Sequence, residues 1–194
     1  MARSDLLRGR FAAVLTLALA LGACGDTLDQ SIPRPTEAAE GELMDLVEGP
    51  VERSSALNLL AGRGFGIPTA VRVDQSGQWD IAFALVDGEP RWLPRGFFEA
   101  FEPSSGIRVM QGEFEEIERL PSDREAYELE EPVPVTVGVT YGLRSRTDPS
   151  LSLPCHVFAK LVADSVGGDP MRVWFRVLWN PNCDDTNVTP GASQ

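Results

Sequence analysis

Nucleophiles and general bases other than carboxylates are scarce in this chain. Its 194 residues include one histidine, His156, and one lysine, Lys160. The sequence has neither a Gly-x-Ser-x-Gly turn nor a Ser-x-x-Lys pair, the arrangements with which common serine hydrolases activate a nucleophile. A zinc site needs several histidine or cysteine ligands, which the chain does not supply. We therefore favour a function other than catalysis, and we predict that His156 is a structural or surface residue.

Carboxylates are the one abundant reactive type, and residues 113–131 are especially rich in them. This run contains nine acids and two arginines. Two carboxylates about 5–10 Å apart could hydrolyse a glycosidic bond, and Glu113 and Glu115 would share one face of a strand. Carboxylate oxygens could also bind Ca²⁺, although the spacing of a calcium-binding loop is absent and residues 74–76 are more typical of a turn. The interpretation that we favour is a solvated acidic edge.

Arg172, Trp174 and Arg176 alternate along the last predicted strand and so share one of its faces. Two guanidiniums beside an indole could bind an anionic or saccharide ligand through bidentate hydrogen bonds and stacking. The alternative is structural: the arginines pair with acids of the 113–131 run and cover Trp174. The net charge of −12 favours this second interpretation.

The N-terminus combines a positive segment with a short apolar run. Arg3, Arg8 and Arg10 lie before or beside the apolar residues 11–21. A membrane-spanning helix needs about 20 residues, so a run of this length is typical of a signal peptide. It ends in Leu-Gly-Ala-Cys at 21–24, which resembles the lipobox of bacterial lipoprotein precursors.

The resemblance implies that residues 1–23 are removed as a lipoprotein signal peptide and that Cys24 carries the lipid, such as palmitate. Two or three acyl chains, worth about 0.8 kcal/mol per buried CH₂, would anchor the protein to a bilayer. Gly25, rather than aspartate, follows the cysteine, which favours the outer membrane of the cell envelope. The mature chain would have 14 basic and 28 acidic residues, a net charge of −14, which repels anionic head groups and nucleic acid.

After the signal peptide, the sequence divides into four segments with different predicted structures. Residues 24–36 are polar and proline-containing, which predicts a tether. A narrow apolar stripe predicts a short helical segment over residues 37–63. Residues 64–186 have the alternation of an antiparallel β domain, and residues 187–194 are predicted to be a disordered tail.

Apolar and polar residues alternate in about seven short runs of the β domain, and an Asp87-Gly88 hairpin turn separates two of them. The predicted strands are residues 70–73, 79–86, 91–93, 107–111, 133–141, 155–164 and 171–180. This pattern favours a mainly β protein with an antiparallel β-sandwich-like domain. The alternative is an α+β fold in which helices pack on one antiparallel sheet.

The last two predicted strands can be aligned through their apolar faces. If Leu161 lies opposite Phe175, one face of the hairpin is wholly apolar, and a slip of one residue would place Lys160 against Phe175. The other face is half apolar. We expect the helical segment over residues 37–63 to cover part of it.

The alignment also bears on the cysteines. If Cys24 carries lipid, as the resemblance implies, Cys155 and Cys183 remain, and an exported domain permits a disulfide between them. Cys155 would lie opposite Pro181, which makes Cys183 its diagonal neighbour. We predict that the two cysteines form a disulfide.

Together these features predict a lipid-anchored bacterial lipoprotein in the cell envelope, facing the periplasm or the cell surface. Its domain would be a non-enzymatic binding or structural module for an envelope protein or polysaccharide. The alternative is a carboxylate-based hydrolase, or an accessory or inhibitor subunit of one. We expect no cofactor beyond the Ca²⁺ considered above.

Overall fold

The fold was analysed in a computed structural model, which describes the chain in five ranges. These are residues 36–50, 52–63, 69–73, 77–147 and 155–192. The signal peptide, Cys24 and most of the predicted tether lie outside the described residues.

Strands dominate the described residues. In chain order they are β1 Glu37–Met44, β2 Ala56–Asn58, β3 Thr69–Val71, β4 Ile81–Val86, β5 Glu89–Pro94, β6 Gly106–Val109, β7 Val133–Pro134, β8 Thr140–Arg144, β9 Phe158–Gly167 and β10 Arg172–Asn180. Three short 3-10 helices are Leu59–Arg63, Arg95–Phe97 and Arg124–Ala126. In the described part of the chain, no helix is long and apolar enough to cross a bilayer. The protein is mainly β, as the sequence predicts.

The strands form two antiparallel sheets of five strands each. Sheet A has the order β1-β10-β9-β8-β6, and sheet B has the order β3-β2-β4-β5-β7. The predicted hairpin turn between β4 and β5 is confirmed: Asp87 and Gly88 have φ angles of 54° and 79°, the left-handed conformation that such a tight turn requires.

One buried apolar cluster contains side chains of both sheets. The alternating residues of β9 and β10 supply one side of it, since Leu161, Val177 and Trp179 are almost completely buried. Trp92 of sheet B contacts Tyr141 of sheet A, with ring centroids 6.1 Å apart. Removal of this apolar surface from water is the main force that holds the two sheets in one domain.

The predicted strand over residues 133–141 is wrong, because the chain changes sheets within it. β7 pairs with β5 in sheet B, whereas β8 pairs with β6 and β9 in sheet A. The Tyr141 hydroxyl donates to the carbonyl oxygen of Pro134 and accepts from the backbone N–H of Thr136, each at 2.8 Å. These two hydrogen bonds fix the corner. The alternation of valines predicts extended backbone but does not report the change of partner.

The predicted helical segment over residues 37–63 is not confirmed. Residues 37–44 form the edge strand β1, which pairs with β10 from Glu37 opposite Trp179 to Met44 opposite Arg172. A Cβ atom at Gly41 would lie 2.8 Å from the Phe175 ring, so glycine allows the two strands to approach. Pairing with a distant strand overrides the local helical pattern.

The β9–β10 hairpin keeps the predicted faces but has a different register. Leu161 lies opposite Val177 rather than Phe175, and a bulge separates Trp174 from Phe175. The difference is two residues, which leaves the same side chains on each face. The apolar pattern therefore identifies the faces of the strands but not their exact pairing.

The outer face of sheet A is covered by the acidic run and the C-terminal segment, not by an N-terminal helix. Buried apolar residues of these segments pack on Phe158 and Leu178; they are Ile117, Leu120, Tyr127 and Val188. The backbone N–H of Val188 donates to Glu118 at 2.8 Å, and that of Leu120 to Thr186 at 3.0 Å. Residues 187–192, predicted as a disordered tail, thus pack on the domain. The acidic run is a cover whose carboxylates point outwards and whose apolar residues point in.

Candidate functional site

The predicted ligand face at Arg172, Trp174 and Arg176 is held in ion pairs. Arg176 contacts Asp164 at 3.0 Å and Glu115 at 3.2 Å, and its guanidinium lies 5.2 Å from the centroid of the Phe114 ring. These hydrogen bonds to Asp164 and Glu115 raise the pKa of Arg176. The Arg176 pairing agrees with the structural interpretation.

Arg172 is held in a similar way. It lies 3.9 Å from Glu42 of β1 and 5.3 Å from the centroid of the Trp174 ring. Trp174 keeps 37% of its surface exposed. Because each arginine has a carboxylate partner, this face offers little uncompensated positive charge for an anionic ligand.

Glu113 and Glu115, the two carboxylates of the hydrolase alternative, line an open pocket of about 260 Å³ with Asp164 and Arg176. A backbone hydrogen bond and the Arg176 guanidinium hold the pKa of Glu115 below its ordinary value. A general acid in glycoside hydrolysis needs a raised pKa. The geometry at Glu115 favours a structural role.

Carboxylates elsewhere in the run are also engaged. Glu128 accepts hydrogen bonds from the backbone N–H groups of residues 129–131, and these bonds lower its pKa. Among the described residues, no group of three or more histidines, cysteines or acids is arranged to hold a metal ion. Residues 74–76 lie outside the described ranges.

Lys160, the one lysine, is completely buried beneath the acidic run. Its ammonium donates to the carbonyl oxygen of Ile117 at 2.8 Å and lies 4.8 Å from the centroid of the Phe114 ring. Burial lowers the pKa of Lys160, whereas Glu115 and Glu118 oppose that shift. The lysine therefore holds the cover on sheet A and is screened from any substrate.

The predicted disulfide is present between Cys155 and Cys183, whose Cα atoms are 5.3 Å apart. The two-residue difference in register accounts for the short distance. Extended beyond the ends of β9 and β10, the observed register places Cys155 directly opposite Cys183 rather than diagonal to it. Cys24 lies outside the described residues.

Beside the disulfide lies a pocket that the sequence does not predict. It is open to solvent and has a volume of about 380 Å³. Its lining comes from the loop before β6, a 3-10 helix, the end of β8 and the residue after Cys155. We call it the cationic pocket, and its lining residues are Glu102, Pro103, Ser104, Arg124, Arg144, Thr147 and His156.

Arg144 is the buried cation of this pocket, with 8% of its surface exposed. One guanidinium nitrogen, Nη1, donates to the carbonyl oxygen of Ser104 at 3.2 Å, and the buried Nε has no hydrogen-bond partner within the described ranges. Arg124 donates from Nη2 to the carbonyl oxygen of Pro103 at 2.8 Å. Among the described residues neither arginine has a carboxylate within ion-pair distance.

His156 forms another part of the wall. Its Nδ1 lies 3.1 Å from the carbonyl oxygen of Ser145, and because a carbonyl only accepts, Nδ1 carries the hydrogen. Burial lowers the pKa of His156 and the Arg144 charge lowers it further, so the ring is neutral at pH 7. Its backbone N–H donates to Asp184 at 3.0 Å.

A second arginine, Arg146, lies two residues beyond Arg144, is largely buried, and has a different environment. Its guanidinium and its backbone N–H donate to the fully buried carboxylate of Asp80 at 2.9 and 2.8 Å. Asp80 also accepts from the backbone N–H of Leu59 at 2.7 Å. Burial raises the pKa of Asp80, and the Arg146 charge opposes that shift. The pair links the chain just beyond β8 to the residue before β4 of sheet B.

Sequence reasoning missed the cationic pocket because its residues are far apart along the chain. Arg124 is one of two arginines in a run of nine acids, and nothing local marks it as unpaired. The one available signal is Arg144-Ser-Arg146 at the end of a strand in a strongly acidic protein. Comparison with family models, with curated proteins and with solved structures finds no match to this chain.

Proposed function

We propose that this chain is a lipid-anchored lipoprotein of the bacterial cell envelope whose folded domain binds an envelope protein or polymer without catalysing a reaction. We further propose that the two sheets are the layers of a β-sandwich-like domain. The buried cluster that contains side chains of both sheets supports this architecture.

The observation that carries the anchoring is the sequence at residues 21–24. Leu-Gly-Ala-Cys follows an apolar run that is too short to span a bilayer. The Cys155–Cys183 disulfide supports export, since such bonds persist mainly in oxidising compartments. Gly25 after the cysteine supports the outer membrane, with the domain facing the periplasm or the cell surface.

The contacts of the reactive side chains support binding rather than hydrolysis. Lys160 is buried under the acidic run, Glu115 is paired with Arg176, and the Nδ1–H of His156 is engaged by a backbone carbonyl. A hydrolase needs at least one carboxylate or imidazole poised to transfer a proton. The cationic pocket, in contrast, contains two arginines that have no acidic partner in the part of the chain that the structure describes.

The anchoring is tested by metabolic labelling of the full chain with palmitate in a bacterium that processes lipoproteins. The wild type should incorporate label, and Cys24→Ser should incorporate none and accumulate as unprocessed precursor. Cys155→Ser with Cys183→Ser is the matched control, because it removes two other cysteines and should keep the label. Labelled Cys24→Ser protein, or an unlabelled control, would contradict the assignment.

The binding role is tested by capture of partners from detergent-solubilised envelopes of the same host. The anchored wild type should retain an envelope protein or polymer that the Arg124→Gln, Arg144→Gln double variant retains poorly. Equal retention by both proteins would show that the cationic pocket has no part in binding.

A further inference from the structure

We propose that the cationic pocket binds a phosphate group, either as inorganic phosphate or as a phosphate monoester. The inference deepens the proposed function and rests on its binding role. Arg124 and Arg144 come from a 3-10 helix and from the end of β8, and both line the same open volume.

Within the described residues, the two guanidiniums use only some of their N–H donors in hydrogen bonds. A guanidinium has several N–H donors in a planar fork that matches the oxygens of a phosphate. Arg144 donates to one neutral carbonyl and keeps a buried Nε without a partner, and Arg124 also donates to a neutral carbonyl. The other N–H groups of the two guanidiniums are donors from which a bound oxyanion could accept hydrogen bonds.

The balance of charge in the pocket also favours an anionic ligand. In a protein with a net charge of −12, two arginines share one pocket without an ion pair among the described residues. Burial lowers the pKa of Arg144; the Arg124 charge adds to that effect, whereas Tyr127 and Asp184 oppose it. An anion in the pocket would relieve this repulsion.

The same balance favours phosphate over a carboxylate. Phosphate has a charge of about −1.5 to −2 near pH 7 and three acceptor oxygens, whereas a carboxylate has one charge for two guanidiniums. Two acids lie nearby: Glu102 lines the pocket and Asp184 accepts the backbone N–H of His156. Both are exposed, so water screens them more than it screens the buried Arg144.

The cationic pocket is also large enough for a phosphorylated small molecule. The volume of about 380 Å³ exceeds what a phosphate group alone would fill, and it falls within the range of about 300–1,000 Å³ that is typical of small-molecule sites. There is room for part of the molecule that carries the phosphate.

The test is titration of the purified full-length chain with inorganic phosphate, at constant ionic strength set with chloride, by isothermal calorimetry. We expect saturable binding by the wild type. Arg144→Gln and Arg124→Gln should each weaken it about tenfold or more, the usual effect of losing a charged hydrogen bond.

Arg108→Gln is the matched control. Arg108 is also an exposed arginine that donates to a backbone carbonyl, that of Ala126 at 2.9 Å, but it does not line the pocket. The Arg108→Gln variant should bind phosphate with the same affinity as the wild type. If Arg144→Gln does not fold, Arg124→Gln decides the question.

Absence of phosphate binding to the wild type would overturn the proposal, and so would equal weakening by Arg108→Gln. A parallel titration with glycerol 3-phosphate separates two sources of the ligand. Tighter binding of the ester supports a phosphorylated molecule, and binding of inorganic phosphate alone supports free phosphate. Failure of both would leave the palmitate-labelling test of anchoring unaffected.

Discussion

Arg144, at the end of β8, and Arg146, two residues later, are both largely shielded from water, yet the structure gives their positive charges different partners. Arg146 has 12% of its side chain exposed and pairs with the completely buried Asp80. Arg144 has 8% of its surface exposed, and its guanidinium donates to a backbone carbonyl and forms no ion pair within the described residues. One site is closed and neutralised, and the other is open and positive.

The contrast between Arg146 and Arg144 illustrates two roles for a buried charge: one stabilises the fold through an ion pair, and the other is available to a ligand. A buried charge is tolerated when an opposite charge and further hydrogen bonds replace its water. The Asp80 site meets this condition and joins sheet B to the chain beyond β8. The Arg144 site does not meet it within the described residues, and such a site makes sense when the missing partner is a ligand.

The largest expected effect comes from breaking the closed site. Asp80→Ala leaves Arg146 buried without an anion and removes the acceptor of the Leu59 N–H, so it should lower the free energy of unfolding by about 3–5 kcal/mol. Urea denaturation measures this. Asp164→Ala removes one partner of the exposed Arg176 and should cost less than about 1 kcal/mol. Equal losses would show that burial does not distinguish the two pairs.

Removal of the charge at Arg144, in contrast, should not destabilise the protein. Arg144→Met replaces an unpaired buried cation with an apolar chain of similar length, so stability should change by no more than about 1 kcal/mol and in the stabilising direction. Arg146→Met should instead destabilise strongly, because it leaves the Asp80 carboxylate alone. Thermal unfolding in phosphate-free buffer compares them. A large loss in Arg144→Met would mean that this arginine is structural.

A smaller effect is expected from pH. The folded-state pKa of His156 lies below its ordinary value of 6.5, so the folded protein binds fewer protons than the unfolded chain as pH falls through 6.5. Stability should therefore fall between about pH 7.5 and 5.5, with a contribution well under about 1.4 kcal/mol because the ring is partly exposed. His156→Gln should flatten this part of the profile. An unchanged slope would remove His156 as its source.

Sequence reasoning performs well where the signal is local. The apolar faces of β9 and β10, the Asp87-Gly88 turn and the cysteine pair follow from alternation, turn chemistry and counting. It fails where a distant partner decides: β1 is a strand because β10 offers an edge, and the valine-rich run over 133–141 divides between two sheets. Arg124, Arg144 and His156 have no shared signal, since only the folded chain brings them together.

The pairing of β1 with β10 also determines when this protein can fold. β1 is the first described strand and β10 is the last, so the edge of sheet A cannot form until almost the whole chain is available. Contacts between such distant segments slow folding. A chain that emerges N-terminus first must keep β1 unpaired meanwhile, and Glu37, Glu40 and Glu42 place negative charges along that strand, which discourages pairing with another chain.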